Sequence, residues 1–415
     1  MTRARMILAM TLTYMVFAVL LNSVGALILQ SMQAWGVDKQ ATSVLDAFKD
    51  LPIAIVSFLV ASLLPRLGYR RSMMLGLVVV AVACAAMPLL DAFWMTKLQF
   101  MAVGAAFALV KVSVYSTIGL LTGNRQAHAS LTSFIEGWFM VGVLVGPWIF
   151  AEFIKLQQAP DDPVWLSVYW LLAAVCVAVI VLLGTCRIDE SAAMDRQDVA
   201  DSFLDTFRLL RLPLVIVFVV SAFLYVLIEQ GINTWLPTFN AEILRLPTIT
   251  SVQLASLFAA STALGRLGAG FVLRFVPWHV LLMLCIAMTA ALVLLALPMA
   301  ANAGPSLQPG WWNAPAVAFV FPLIGLFMAP IYPTINSVVL SALPKARHAV
   351  MTGLIVVFSA LGGSTGSFLT GQAFAQFGGR TAFYLSLLPM ALLLLAILVL
   401  KQRSSHASMP APAHG

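Results

Sequence analysis

Long apolar runs divided by short polar breaks fill the chain from end to end. A hydrocarbon core about 30 Å thick takes roughly 20 apolar residues of helix. By that measure about twelve spans stand out along the 415 residues, near 6–34, 41–64, 72–92, 96–122, 127–154, 164–186, 212–238, 250–274, 279–300, 314–341, 347–376 and 380–401. The longer ones leave room for tilt or for helix beyond the lipid. Met6 to Leu29 is too long for the apolar core of a cleavable signal peptide, so it is read as a retained first span. The pattern predicts an all-α membrane protein.

The polar breaks set orientation and domains. With the N-terminus cytoplasmic, the inner side gathers most of the arginines, including Arg70, Arg71, Arg125, Arg187, Arg208 and Arg211. The outer side holds Lys39, Lys97, Lys155, Arg245 and Arg380. Positive charge concentrates on the cytoplasmic side, so both termini are expected there, in what is expected to be a bacterial inner membrane. The long charged stretch, from Cys186 to Arg211, divides six spans from six. The expected organisation is an N-terminal bundle over 1–186, a cytoplasmic linker over 187–211, a C-terminal bundle over 212–401 and a disordered tail over 402–415. Each half carries a related inner signature, "PRLGYRRSMML" with Gly68, Arg70 and Arg71, and "GRLGAGFVLRF" with Gly265 and Arg266. Glycine permits close helix approach and arginine can bond helix-end carbonyls, so these five residues are candidates for a cytoplasmic gate.

Composition narrows the class further. The chain is 61% hydrophobic and 9% charged, with a mean hydropathy of +0.99, far from the roughly 25% charged residues of soluble domains. Its net charge of +7 comes from basic residues scattered singly and in pairs, which argues for topology signals and against nucleic acid. Cys84, Cys176, Cys186 and Cys285 are far apart within or beside apolar runs, as packed thiols are. The histidines have no metal-ligand spacing and no GxxxxGK[ST] loop is present. The expectation is therefore a protein that is not an enzyme, with no cofactor and no metal site.

Two six-span halves with matching loop signals describe the major facilitator architecture, with a solute site near the midplane between the halves. The residues sharpen that resemblance. "PIYPTINSVVLSALPK" (330–345), "GLIVVFSALGGSTGSFLTG" (353–371) and "LLNSVGALILQSM" (20–32) resemble the fucose/galactose/glucose:proton symporter branch of the superfamily. The resemblance implies a sugar or sugar-derived solute, protons as the coupling ion, and a monomer working by alternating access. "LGYRR" resembles the end of the major facilitator loop signature, but Pro65 stands where that signature has an acid, and Ala26 and Lys111 stand where the symporter branch has carboxylates. Proton coupling through the usual residues therefore does not carry over.

Six charges, Asp46, Lys49, Asp50, Lys111, Glu136 and Glu229, lie well inside the spans, where each costs about 2.5–3.5 kcal/mol on insertion scales and usually faces a bundle interior. Asp46, Lys49 and Asp50 share one helical face. Two neighbouring carboxylates share a proton more readily than both ionise, so Asp46 and Asp50 are proton-coupling candidates; the alternative is a salt-bridged brace at the outer mouth. Glu136 and Glu229 are the other proton-coupling candidates. Lys111, with Tyr115 one turn on, needs a partner: Glu136, Asp50 or an anionic group of the solute. Amides bind sugar hydroxyls well, which makes Asn22, Gln230, Asn233 and Asn336 substrate-binding candidates together with Tyr332, Lys49, Lys111 and Tyr115. Trp235 is expected at the membrane interface or against a sugar face. Lys49 and Lys111 admit an acidic solute. Efflux of drugs or organic anions by proton antiport and a non-transporting membrane sensor remain the alternatives.

Overall fold

The computed structural model describes residues 2–122, 125–186, 212–302, 310–342 and 348–407. The expected linker, 187–211, lies outside them. Among the described residues every regular element is a helix. The first half holds span one (Thr2–Leu21 and Val24–Trp35), span two (Leu45–Leu67), span three (Tyr69–Leu90), span four (Phe93–Leu121), span five (Arg125–Ile154) and span six (Val168–Thr185). The second half holds span seven (Pro213–Glu242), span eight (Thr248–Ala255 and Leu257–Val272) and span nine (Trp278–Asn302). Span ten is segmented, ending in Ile324–Met328 and Ile331–Ala342. Span eleven is His348–Phe377, and span twelve is Gly379–Leu385 followed by Leu387–Ala407. That last helix runs into the segment expected to be disordered, as far as Ala407; residues 408–415 lie outside the described ones.

Among the described residues, eleven helices are long and apolar enough to cross a membrane. Span two has the length but carries Asp46, Lys49 and Asp50 near its start. Its charges are tolerable because its neighbours supply partners, as described below.

Span one is broken at Asn22 and Ser23, and local chemistry explains the break. The Asn22 amide donates to the Ala18 carbonyl at 2.9 Å, and the Ser23 hydroxyl donates to the Leu20 carbonyl at 2.7 Å. Such back-bonding offers backbone carbonyls a partner other than the helix ladder. Just beyond the break, Gly25 lets span one lie against span seven: a Cβ there would stand 2.6 Å from the Thr234 carbonyl oxygen. Span eight breaks in a similar way at Ser256, whose hydroxyl donates to the Gln253 carbonyl at 2.6 Å.

The two halves meet most closely at the end of the bundle distal to the termini. There the Lys39 ammonium pairs with Glu242 at 2.8 Å, and the Thr248 hydroxyl donates to Gln33 at 2.8 Å. The Trp148 indole donates to the Ser256 hydroxyl at 3.0 Å, and its ring lies 5.3 Å from that of Trp311. Gly371 of span eleven is so close to the approach to span two that a Cβ would stand 2.4 Å from Cβ of Ser43. Toward the termini, a Cβ on Gly119, Gly137 or Gly268 would meet nothing within 4 Å, so spans four, five and eight make no close approach at those positions.

Candidate functional site

A cavity of about 530 Å³, its open mouth included, lies between the halves at the level of the span-one break. Asn22, Asp46, Lys49, Gln230 and Asn233 line it, together with Thr234 and Ser256. The structure thus brings five of the predicted residues to one wall, from spans one, two and seven.

Asp46 and Lys49 belong to this wall, and Asp50 stands one helical turn beyond Asp46. Lys49 Nζ lies 2.8 Å from Asp46 Oδ1 and 3.5 Å from Asp50 Oδ1. It also donates to the Leu21 carbonyl at 3.5 Å, which the break in span one leaves free for such a bond. Asp46 is fully buried, and its second oxygen accepts from the Thr234 hydroxyl at 2.8 Å. That bond runs from span two to span seven, across the two halves. Asp50 Oδ2 lies over Gly363 of span eleven, where a Cβ would stand 2.8 Å away. Asp46 and Lys49 are therefore part of the cavity wall, while Asp46 and Asp50 are part of the contact between halves.

The remaining predicted residues form two clusters, one in each half. In the first, the Tyr115 hydroxyl bonds Glu136, and Tyr14 of span one lies beside Tyr115. Glu136 is thereby bound to tyrosine, and of the three partners open to Lys111 neither Glu136 nor Asp50 pairs with it: among the described residues Lys111 has no carboxylate within 4 Å. Its ammonium lies 5.8 Å from the centre of the Phe107 ring, and its side chain is exposed. In the second cluster the Tyr225 hydroxyl donates to Glu229 at 2.9 Å. The Tyr225 ring stacks on Tyr332 at 5.4 Å, and the hydroxyls of Tyr332 and Ser359 are 2.8 Å apart. Asn336 lies one turn beyond Tyr332, beside its hydroxyl.

The gate candidates divide. Gly68 forms the turn before span three with φ of 82°, and Arg70 donates to the Cys186 carbonyl, tying that turn to the end of span six. Arg71 is exposed. Gly265 and Arg266 lie inside a helix that continues to Val272, not in a loop. Gly265 packs on span ten, where a Cβ would stand 2.2 Å from the Leu326 carbonyl oxygen, and Arg266 reaches Met140 of span five at 3.8 Å. Trp235 occupies neither expected place: it is buried, donates to the Ser367 carbonyl at 2.9 Å and stacks on Phe374 at 5.3 Å.

Thr234, Ser256, Tyr14 and Tyr225 do not stand out in a first reading of the sequence. A signal for three of them is nonetheless present: Tyr14, Asn22 and Ser23 recur at the same spacing as Tyr225, Asn233 and Thr234. Spans one and seven therefore repeat one pattern, and each tyrosine meets a second one, from span four or span ten.

Comparison with known proteins agrees with this architecture. The family model described as Major Facilitator Superfamily matches residues 6–367, and the chain belongs to that family. No curated protein matches the sequence. Among solved structures, the D-xylose-proton symporter superposes with a TM-score of 0.75 at 12% identity, covering 96% of this chain and 97% of that one. The nucleoside transporter NupG gives 0.71 at 14% identity, covering 97% and 99%. FucP, the fucose:proton symporter of E. coli, gives 0.62 at 14% identity in its outward conformation, covering 96% and 99%. The protein is thus an integral membrane secondary transporter for a small molecule and not an enzyme.

Proposed function

We propose that this transporter imports a sugar or sugar-derived solute, with a carboxylate on the preferred one, and that protons drive it. The observation that carries the reading is Asp46. Its carboxylate lines the cavity, pairs with Lys49, and accepts the buried hydrogen bond from Thr234 that joins the halves. A proton on Asp46 would weaken its pairing with Lys49 at the same place where a solute arrives. A group that senses both occupancy and closure is what coupling requires.

The amides of Asn22, Gln230 and Asn233 supply donors and acceptors for hydroxyls on the same wall. Lys111, with no carboxylate in pairing range among the described residues, supports an acidic solute. Under the proposed orientation, with both termini in the cytoplasm of a bacterial cell, the closed distal end is the outer side. Gly68, Arg70 and Arg71 would then belong to the inner gate.

Proteoliposome uptake of D-glucose and D-glucuronate, with and without an inward proton gradient, tests this reading. The gradient is expected to accelerate glucuronate uptake, and Asp46→Asn is expected to remove that acceleration while sparing exchange down a solute gradient. Wild-type uptake indifferent to the proton gradient would rule out proton drive. Acceleration only by an outward-directed gradient would assign the protein to efflux.

A further inference from the structure

The cation on the second half has no role in the reading above. Arg266 is exposed, and it lies within the helix of span eight, six residues before its end at Val272. It borders an open groove of about 940 Å³, its mouth included, between spans eight and ten, lined also by Thr334, Ser337 and Trp278. Among the described residues no carboxylate lies within 4 Å of it. Glu229, the acid whose field reaches it, is hydrogen-bonded to Tyr225.

Arg266 also approaches the first half. Its guanidinium reaches Met140, which stands one helical turn from Glu136 on span five. Glu136 bonds Tyr115, which stands one turn from Lys111 on span four. Each half therefore holds a carboxylate bonded by a tyrosine and, on the same or a neighbouring span, a cation without an ion pair among the described residues. Both cations are exposed, so each is open to a partner from outside the chain. Guanidinium binds carboxylate in a bidentate fork, whereas ammonium acts as a point charge.

We propose that Arg266 is a specificity-determining residue that works with Lys111, one cation from each half, to select solutes bearing a carboxylate. The tyrosines engage Glu136 and Glu229, and neither acid forms a direct salt bridge with these cations, which leaves each cation a contact for the solute's carboxylate. This rests on the acidic-solute reading and adds a second residue to it.

The test uses the purified full chain, with D-glucuronate and D-glucose as probes in both thermal-shift titration and proteoliposome exchange. Glucuronate is expected to stabilise the wild type at lower concentration than glucose. Arg266→Gln is expected to raise the half-saturating glucuronate concentration about tenfold or more, in line with loss of a charged hydrogen bond. Glucose should be unaffected, and Arg266→Lys should recover part of the loss. If Arg266→Gln leaves glucuronate binding unchanged, or weakens both probes equally, while Lys111→Gln still weakens glucuronate alone, the role of Arg266 is overturned and the acidic-solute reading stands. A wild type that shows no preference for glucuronate overturns both.

Discussion

The distal and terminal ends of the bundle treat charge in opposite ways. At the distal end Lys49 is enclosed by two acids and a backbone carbonyl, and Asp46 is bonded across the halves. Toward the termini, Lys111 and Arg266 are exposed and unpaired among the described residues, while the nearby acids are held by tyrosines. One end uses charge to hold helices together, and the other keeps charge available. The difference separates a closing contact from a binding surface more clearly than residue type does, since both ends use lysine.

The largest effect is expected from Lys49→Met. Removing one partner of a buried ion pair typically costs about 3–5 kcal/mol, and two acids would remain without their cation. The expected result is a melting temperature lowered by several degrees and uptake reduced to background. A variant as stable and active as wild type would remove the enclosing role of the trio. Next in size comes Lys111→Gln, expected to weaken glucuronate binding roughly tenfold or more with no change in melting temperature. Loss of stability there would mean that Lys111, too, is a structural charge.

Thr234→Val isolates the bond between halves. A net loss of about 1 kcal/mol corresponds to roughly a fivefold shift in an equilibrium. A cysteine placed in the cavity by Ala259→Cys should then react several-fold faster with a membrane-impermeant maleimide added from the distal side. Lys39→Ala is expected to change the same labelling rate by at most about twofold, because the Lys39–Glu242 pair is partly exposed and such pairs contribute little. Equal effects from Thr234→Val and Lys39→Ala would show that burial does not rank these contacts.

The spans and the trio are legible in the sequence because apolar length and charge within it are local properties of the chain. The partners are not. Asp46 and Thr234 are 188 residues apart, and nothing within span two names span seven as its neighbour. Competition is equally hidden: the sequence leaves Glu136 free to pair with Lys111, and only the fold shows Tyr115 holding it. Trp235 reads as an interfacial residue because its type favours that place, but packing against Phe374 and the Ser367 carbonyl places it inside. The break in span one is visible afterwards in Asn22 and Ser23, although the same residue types occur in unbroken membrane helices.

The enclosed trio also bears on how the chain enters its membrane. Span two alone would carry three charges into lipid, each costing about 2.5–3.5 kcal/mol at the bilayer centre on insertion scales. Its Leu21 and Thr234 partners belong to spans made respectively before and long after it. We predict that this segment stays at a protein-lined or watery edge until span seven is in place. We predict that a chain truncated after span six leaves span two poorly inserted, as read by a glycosylation or labelling reporter placed beside it; full insertion of that fragment would show that the first half shelters the trio unaided.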